Sequence, residues 1–208
     1  MIITQSYLGK LELNLLNDLA KFVVEENFNH HCEVAPNEDA HHIELQKDVE
    51  DIYNDELNYF KNSKFFVAKD SSGNIQGSIR VIKWDYKATL PLQKIFNINP
   101  LDTLGSTQKV SSIWHIGRFA ASKNNDDKTL FKKLMVHAIK PICKEKNSLA
   151  FAECDSKLLR VMNLLGIETQ VIGKSINYLG SETIPVSMSS AGLKGFYENN
   201  KYLVLPSK

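Results

Sequence analysis

The segment that most constrains this chain is Trp114 to Ser122, WHIGRFAAS. It reads as a core β-strand, yet it carries a histidine and an arginine three residues apart. Within a sheet an unpaired charge is costly, so the Arg118 guanidinium needs either a carboxylate of the protein or a bound ligand. Any fold for this sequence must bury the strand and answer that charge.

With 208 residues, 43% hydrophobic and 24% charged, the chain is read as one domain spanning 1–208 with enough apolar material for a proper core. A formal net charge of +1 supplies no overall field for nucleic acid or a membrane surface, so neither is expected as a partner. Cys32, Cys143 and Cys154 form no spaced framework, which favours free thiols in a reducing compartment. The opening MIITQSYLGKLEL lacks the charged and apolar regions of a signal peptide. No window approaches the roughly 20 apolar residues of a membrane span. A cytoplasmic α/β protein is expected.

The apolar period changes along the chain. Leu11, Leu15, Leu16, Leu19, Phe22 and Val23 predict a helix over about 10–27, and Leu45, Val49, Ile52, Leu57 and Phe60 predict a second. Phe65 to Lys69 and Ile75 to Trp84 are β-like runs joined by a turn at Asp70 to Asn74. Residues 86–110 lack a clear period but hold Leu90, Leu92, Ile95 and Phe96, as a lid or binding loop would. After the strand at 111–121 come a helix near 128–146, kinked or ended early by Pro141, and a strand at 149–153. A short helix from Ser156 stops at Gly166. Strands at about 168–178 and 183–188 and a helix near 191–199 complete the order. The alternation predicts one mixed sheet with helices on both faces.

That order, with Gly77-Ser78-Ile79-Arg80-Val81, Leu90-Pro91-Leu92, Phe96, His115 to Phe119 and Ile184-Pro185-Val186, resembles the GNAT acyltransferase superfamily. It is most similar to the branch of autoinducer (acyl-homoserine-lactone) synthases and long-chain N-acyl amino acid synthases. The resemblance implies a single, mostly antiparallel, twisted sheet with a splayed central strand pair. It further implies acyl transfer from an acyl-CoA or an acyl-phosphopantetheine carrier protein to a small amine such as an amino acid, with no metal. A GNAT-shaped module that binds an acylated partner or small ligand without turnover is the alternative.

The chain departs from the branch at several positions. His115 stands where the branch has glutamate, and Gly117 where it has serine before the arginine. Lys123 to Thr129 holds no glycine at the position of the superfamily's pyrophosphate loop, and Met162 replaces a tyrosine. A helix N-terminus attracts phosphate through its unpaired N–H groups and dipole. Asp126 and Asp127 would cap those groups and repel a pyrophosphate, either as plain caps or as a sign that the donor carries one phosphate.

Aminolysis of a thioester requires the amine to lose a proton, a donor for the oxyanion, and departure of the thiolate. His115 is the expected general base or a hydrogen-bonded core histidine, with Arg118 and Glu153 as the other catalytic candidates. Strict alternation puts His115 and Arg118 on opposite faces; a bulge at Gly117 would bring both into one cleft. Arg80 and Arg118 would form a carboxylate-binding pair for the acceptor, or Arg118 would pair with Glu153, Glu50, Asp51 or Asp55. Leu92, Phe96 and Trp114 are expected against the substrate, and Phe119, Ala120, Ala121, Lys123, Lys128 and Thr129 against the donor. His30, His31, Cys32, His41 and His42 could be read as a metal set, but zinc spacing is absent and a wall over the acceptor fits better. Cys154 is a nucleophile by type or a small buried hydrophobe.

Overall fold

The computed structural model describes residues 7–31, 38–105 and 109–204. Its strands are β1 (Tyr7–Lys10), β2 (Ser63–Lys69), β3 (Ile75–Lys83), β4 (Ser112–Ala121), β5 (Ser148–Asp155), β6 (Gln170–Val171), β7 (Ile176–Tyr178) and β8 (Ser181–Ser189). They form one sheet in the order β1-β2-β3-β4-β5-β8-β6, with β7 also on β8. Every pairing is antiparallel except β4 with β5, which are parallel. The helices are α1 (Leu16–His31), α2 (Glu38–Tyr59), α3 (Pro91–Phe96), α4 (Leu130–Lys144), α5 (Ser156–Leu164) and α6 (Ser190–Asn200). Among the described residues no helix is long and apolar enough to cross a membrane.

Alternation sorts the side chains. Ile79, Val81, Trp114, Ile116, Ala150 and Ala152 point toward α4 and join Leu134, Ile139 and Phe196 in the largest core cluster. On the opposite face α1 and α2 cover Phe65 and Val67, while Leu90 and Leu92 cover Ile113 and Phe151. The β2–β3 turn forms as its sequence predicts: the Asp70 carboxylate accepts from the N–H groups of Ser72 and Asn74, and Gly73 takes a φ of +88°.

The parallel β4–β5 pair decides where a site can sit. Pairing runs from Ser112 opposite Ser148 to Ile116 opposite Ala152 and stops there. β4 continues to Ala121 and β5 to Asp155 without pairing to each other, so the predicted splay is present.

Several expectations change in detail. β1 was not predicted. The first helix begins at Leu16 after a 3-10 turn at Leu13–Leu15. The late strand expected over 168–178 is two short pieces, β6 and β7. α4 runs through Pro141 to Lys144, so the proline does not end it; one backbone bond, to the His137 carbonyl, is lost, and only three helical residues follow. Within 86–110 the structure forms α3 and a 3-10 turn at Pro100–Thr103.

Candidate active site

Along β4 the register against β3 slips by one residue. Gly117 lies opposite Arg80 and Ala120 opposite Ser78, so Arg118 and Phe119 together face Ile79. This is a β-bulge, placed one residue later than expected, at Arg118 rather than Gly117. Arg118 takes a φ of +52°, an uncommon conformation for a side chain of its size, and Ser78 Oγ donates to its carbonyl at 2.8 Å. The extra residue turns Arg118 to the α2 side, the same side as Arg80 and His115.

There the charges form a chain. Arg118 Nε donates to Glu56 Oε1 at 2.6 Å, and Arg80 Nη1 donates to the same oxygen. Arg80 Nη2 lies 2.9 Å from His115 Nδ1, and His115 Nε2 lies 2.9 and 3.0 Å from the two oxygens of Glu153. Glu56 and His115 are 0% exposed and Arg80 1%. The Glu153 side chain keeps 10% of its surface. Burial alone would raise the Glu56 pKa, but the Arg80 and Arg118 charges and hydrogen bonds outweigh it and hold that carboxyl below the usual range. Burial likewise works against the Arg118 charge, and Glu56 with Tyr178 more than offsets it. Tyr59 lies under Arg80, with the guanidinium carbon 5.4 Å from its ring centre.

A cavity of about 400 Å³ fills the opening between β4 and β5. Ile116 to Ala121 form one wall and Ala152 to Asp155 the other. Its apolar part lies toward α4 and α5, at Phe131, Met135, Met162 and Met188; toward α1 it meets Glu26, Asn27 and His30. The end of α1 is tied across the opening. His30 Nε2 donates to the Ala121 carbonyl at 3.0 Å, Lys157 Nζ to the His30 carbonyl at 3.1 Å, and Asn27 Nδ2 to the Leu179 carbonyl at 2.8 Å.

Of the expected residues, Arg80, Arg118, Glu153, Phe119, Ala120 and Ala121 line this cavity, and His115 stands directly behind Glu153. The acceptor pair of arginines is not free: both guanidinium groups are held by Glu56. Leu92 is 0% exposed core, and Phe96 packs against the same cluster, so Pro91 and Ile95 are what this segment gives to the cavity. Trp114 points into the α4 core, its indole N–H donating to Ser112 Oγ at 2.8 Å.

Lys123 does not line the cavity; its backbone N–H donates to Glu26 and its Nζ to the Asn29 carbonyl at 3.4 Å. Lys128 is exposed, and the Thr129 N–H and hydroxyl are both taken by Asp127 Oδ1. Asp127 also binds Lys133 at 2.8 Å, which places a carboxylate at the start of α4. Burial pushes the Cys154 thiol up to about 12, with Asp155 and Glu153 adding to the shift, so it stays protonated and is a poor nucleophile. Cys32 and the side chains of His31, His41 and His42 lie outside the described residues.

Glu56 was missed by sequence reasoning, which considered its neighbours Glu50, Asp51 and Asp55. A signal was present. Ile52, Glu56 and Tyr59 recur at helical spacing on the buried side of α2, and a glutamate in a core position announces a buried cation.

A mostly antiparallel sheet whose one parallel central pair opens into a ligand-sized cleft, with helices on both faces, is the GNAT fold. No family model matches the chain, and no curated protein does. Among solved structures, FeeM, an N-acyl amino acid synthase from uncultured soil microbes, superposes with a TM-score of 0.59 at 14% identity, covering 96% of this chain and 98% of its own. The AHL synthase LasI gives 0.58 at 12% identity, over 99% of each chain. An acetyltransferase of the GNAT family from Staphylococcus aureus Mu50 gives 0.55 at 15%, over 88% of this chain and 98% of its own. At these identities the likeness is one of fold, and it includes the branch the sequence resembles.

Proposed function

We propose that the protein transfers an acyl group from a thioester to an amine within the β4–β5 cleft, with Glu153 as the proton acceptor. The single observation that carries this reading is the position of Glu153. It is a carboxylate on the opened part of β5 that a buried histidine orients and that faces a cavity whose far side is apolar. Asp155, the other carboxylate there, instead caps α5 by accepting from the Leu158 N–H. The amine nitrogen bonds to the thioester carbonyl carbon while its proton passes to Glu153. The tetrahedral intermediate then collapses, the C–S bond breaks, and the thiolate leaves with little assistance, since thiols ionise near pH 8.5. Backbone N–H groups at Phe119 to Ala121, beyond the end of β4–β5 pairing, supply the oxyanion donors. The apolar end at Phe131, Met135, Met162 and Met188 suits a medium or long acyl chain.

The proposed donor is an acyl-CoA or an acyl-phosphopantetheine on a carrier protein. The Asp127 carboxylate at the start of α4 favours the arm with one phosphate over the pyrophosphate of coenzyme A. The acceptor is an amine; with Arg80 and Arg118 occupied by Glu56, an amino-acid carboxylate is not singled out. That FeeM is an N-acyl amino acid synthase and LasI an AHL synthase supports this class of reaction.

A thiol-release assay with acyl-carrier-protein and acyl-CoA donors and a mixture of amines tests the reading. Glu153→Gln should lower kcat about 10²- to 10⁴-fold, the usual contribution of a positioned base, with the donor KM little changed. If no donor is consumed while an acyl ligand still raises the melting temperature, the protein is a binding module.

A further inference from the structure

We infer that Glu56 and Arg80 act on the reaction through the proton pattern of His115, which makes His115 a positioning residue for Glu153 rather than a base; this rests on the reading of Glu153 given above. A guanidinium has donors and no acceptor. With Arg80 Nη2 at 2.9 Å, His115 Nδ1 must present its lone pair, so the ring proton sits on Nε2 and points at both oxygens of Glu153. Both ring nitrogens are then occupied, and the ring is 0% exposed. No lone pair of the imidazole is left for a substrate proton, whereas the carboxylate beyond it reaches the cavity.

Charge counting gives the same answer. The buried chain holds two cations, Arg80 and Arg118, and two carboxylates, Glu56 and Glu153. It is neutral only while His115 is neutral; a second ring proton would break the Arg80 bond and leave one excess buried positive charge. The other groups that face the chain do not change this count. Asp55, 3.9 Å from Arg118, is itself paired with Lys94 at 2.8 Å, and the two add no net charge. Tyr59 offers Arg80 its ring, and Tyr178 lies against Arg118.

Glu56 sets the geometry from α2. By taking Nη1 of Arg80 it orients the guanidinium so that Nη2 meets the imidazole, and by taking Nε of Arg118 on the same oxygen it fixes the bulge beside the cleft. Gly117 keeps the path open. A Cβ there would lie 2.8 Å from Arg80 Nη2 and 3.0 Å from His115 Cε1. The branch pattern read from sequence has serine at this position, and the two side chains crossing it explain the glycine.

The test is ¹⁵N NMR of His115 in the full chain at neutral pH, paired with kinetics. In the wild type Nδ1 should resonate as an unprotonated nitrogen and Nε2 should carry the proton. Arg80→Met removes the donor to Nδ1 and one cation, so an N–H signal at Nδ1 should appear, since an imidazolium restores two charges against two. In the same variant kcat should fall about tenfold or more with the donor KM within about twofold, and Arg80→Lys should recover part of the loss. A wild-type ring with its proton on Nδ1, or an Arg80→Met ring unchanged from wild type, overturns the inference. Should Arg80→Met fail to fold, the wild-type and Arg80→Lys spectra decide alone. A locked Nε2–H ring in a protein that turns over no donor would sink the acyl-transfer reading and leave the tautomer standing. Glu153-dependent turnover with the proton on Nδ1 would do the reverse.

Discussion

The two faces of β3, β4 and β5 are equally dry and chemically opposite. Toward α4 stand Ile79, Val81, Ile116, Ala150 and Ala152. Toward α2 stand Ser78, Arg80, His115 and Glu153, closed by Glu56. Covering by helices decides that both rows are buried; pairing decides that the second row can be charged. A buried ion network is weak evidence for stability, because an apolar layer of similar shape serves as well or better. The cleft is lined from both faces, by Ile79, Ile116 and Ala152 on one and by Arg80, Arg118 and Glu153 on the other. Only the charged row offers groups that can hold or move a proton, which suits the proposed chemistry better than a role in folding.

The largest expected effect comes from Glu56→Gln. The amide keeps an acceptor at Oε1, and its nitrogen falls where Oε2 has no partner among the described residues, so the change removes charge with little change of shape. Two guanidinium groups then share a neutral partner. Breaking such a pair should cost about 3–5 kcal/mol in urea unfolding. The acid dependence follows from the sign of the shift. The Glu56 pKa is lowered from 4.5 in the fold, so its contribution is complete above that value and lost as pH falls through the lower folded value. Wild-type stability should therefore drop below about pH 4.5 more steeply than that of Glu56→Gln. Parallel curves for the two proteins would mean that the carboxylate is not held by its arginines.

The sequence discloses the apolar face more fully than the charged one. Periods of two and 3.6 place nearly every strand and helix, and the Asp70–Asn74 turn and the Gly166 stop form where their chemistry predicts. β1 and the broken β6–β7 pair are too short to carry a period. On the charged face, Arg118 signals that a partner is needed, but the partner lies 62 residues earlier on a helix, and nothing local couples the two. The role of His115 is legible only in three dimensions, because Nδ1 and Nε2 are told apart by what each touches. Leu92 and Phe96 read as substrate contacts because an irregular apolar segment resembles a lid; instead Leu92 joins Ile113 and Phe151 in the core and half-buried Phe96 packs against that cluster.

Two glycines sharpen the comparison. Gly77 faces α4, where an added Cβ would lie 3.0 Å from Leu130 Cδ2 and Leu134 Cδ1, the mobile ends of leucines. Gly117 faces the charged row, where the same methyl meets a guanidinium and an imidazole that are both held at fixed positions. Gly117→Ala should cost about 1–3 kcal/mol, and Gly77→Ala clearly less, because leucine termini can rotate away. Gly117→Ala should also reduce turnover by shifting Arg80 off His115. Equal costs at the two positions would show the charged row to be as compliant as the apolar one.

The smallest effect is expected where the same kind of ion pair meets water. Lys83 Nζ and Glu145 Oε1 are 2.7 Å apart, almost the separation of Arg118 and Glu56, but their side chains are 52% and 35% exposed. Solvent screens that pair and holding two long side chains together costs entropy, so Lys83→Met should change stability by no more than about 1 kcal/mol. Part of that change belongs to the lysine lying 5.2 Å from the Trp114 ring centre, so Lys83→Arg, which keeps a cation over the ring, separates the two contributions. Raising the salt to about 1 M, where the screening length falls to about 3 Å, should erase the ion-pair part at Lys83 and leave the Glu56→Gln penalty nearly intact. If salt weakened both alike, the Glu56 network would have to be open to water, and the contrast between the two faces would fail with it.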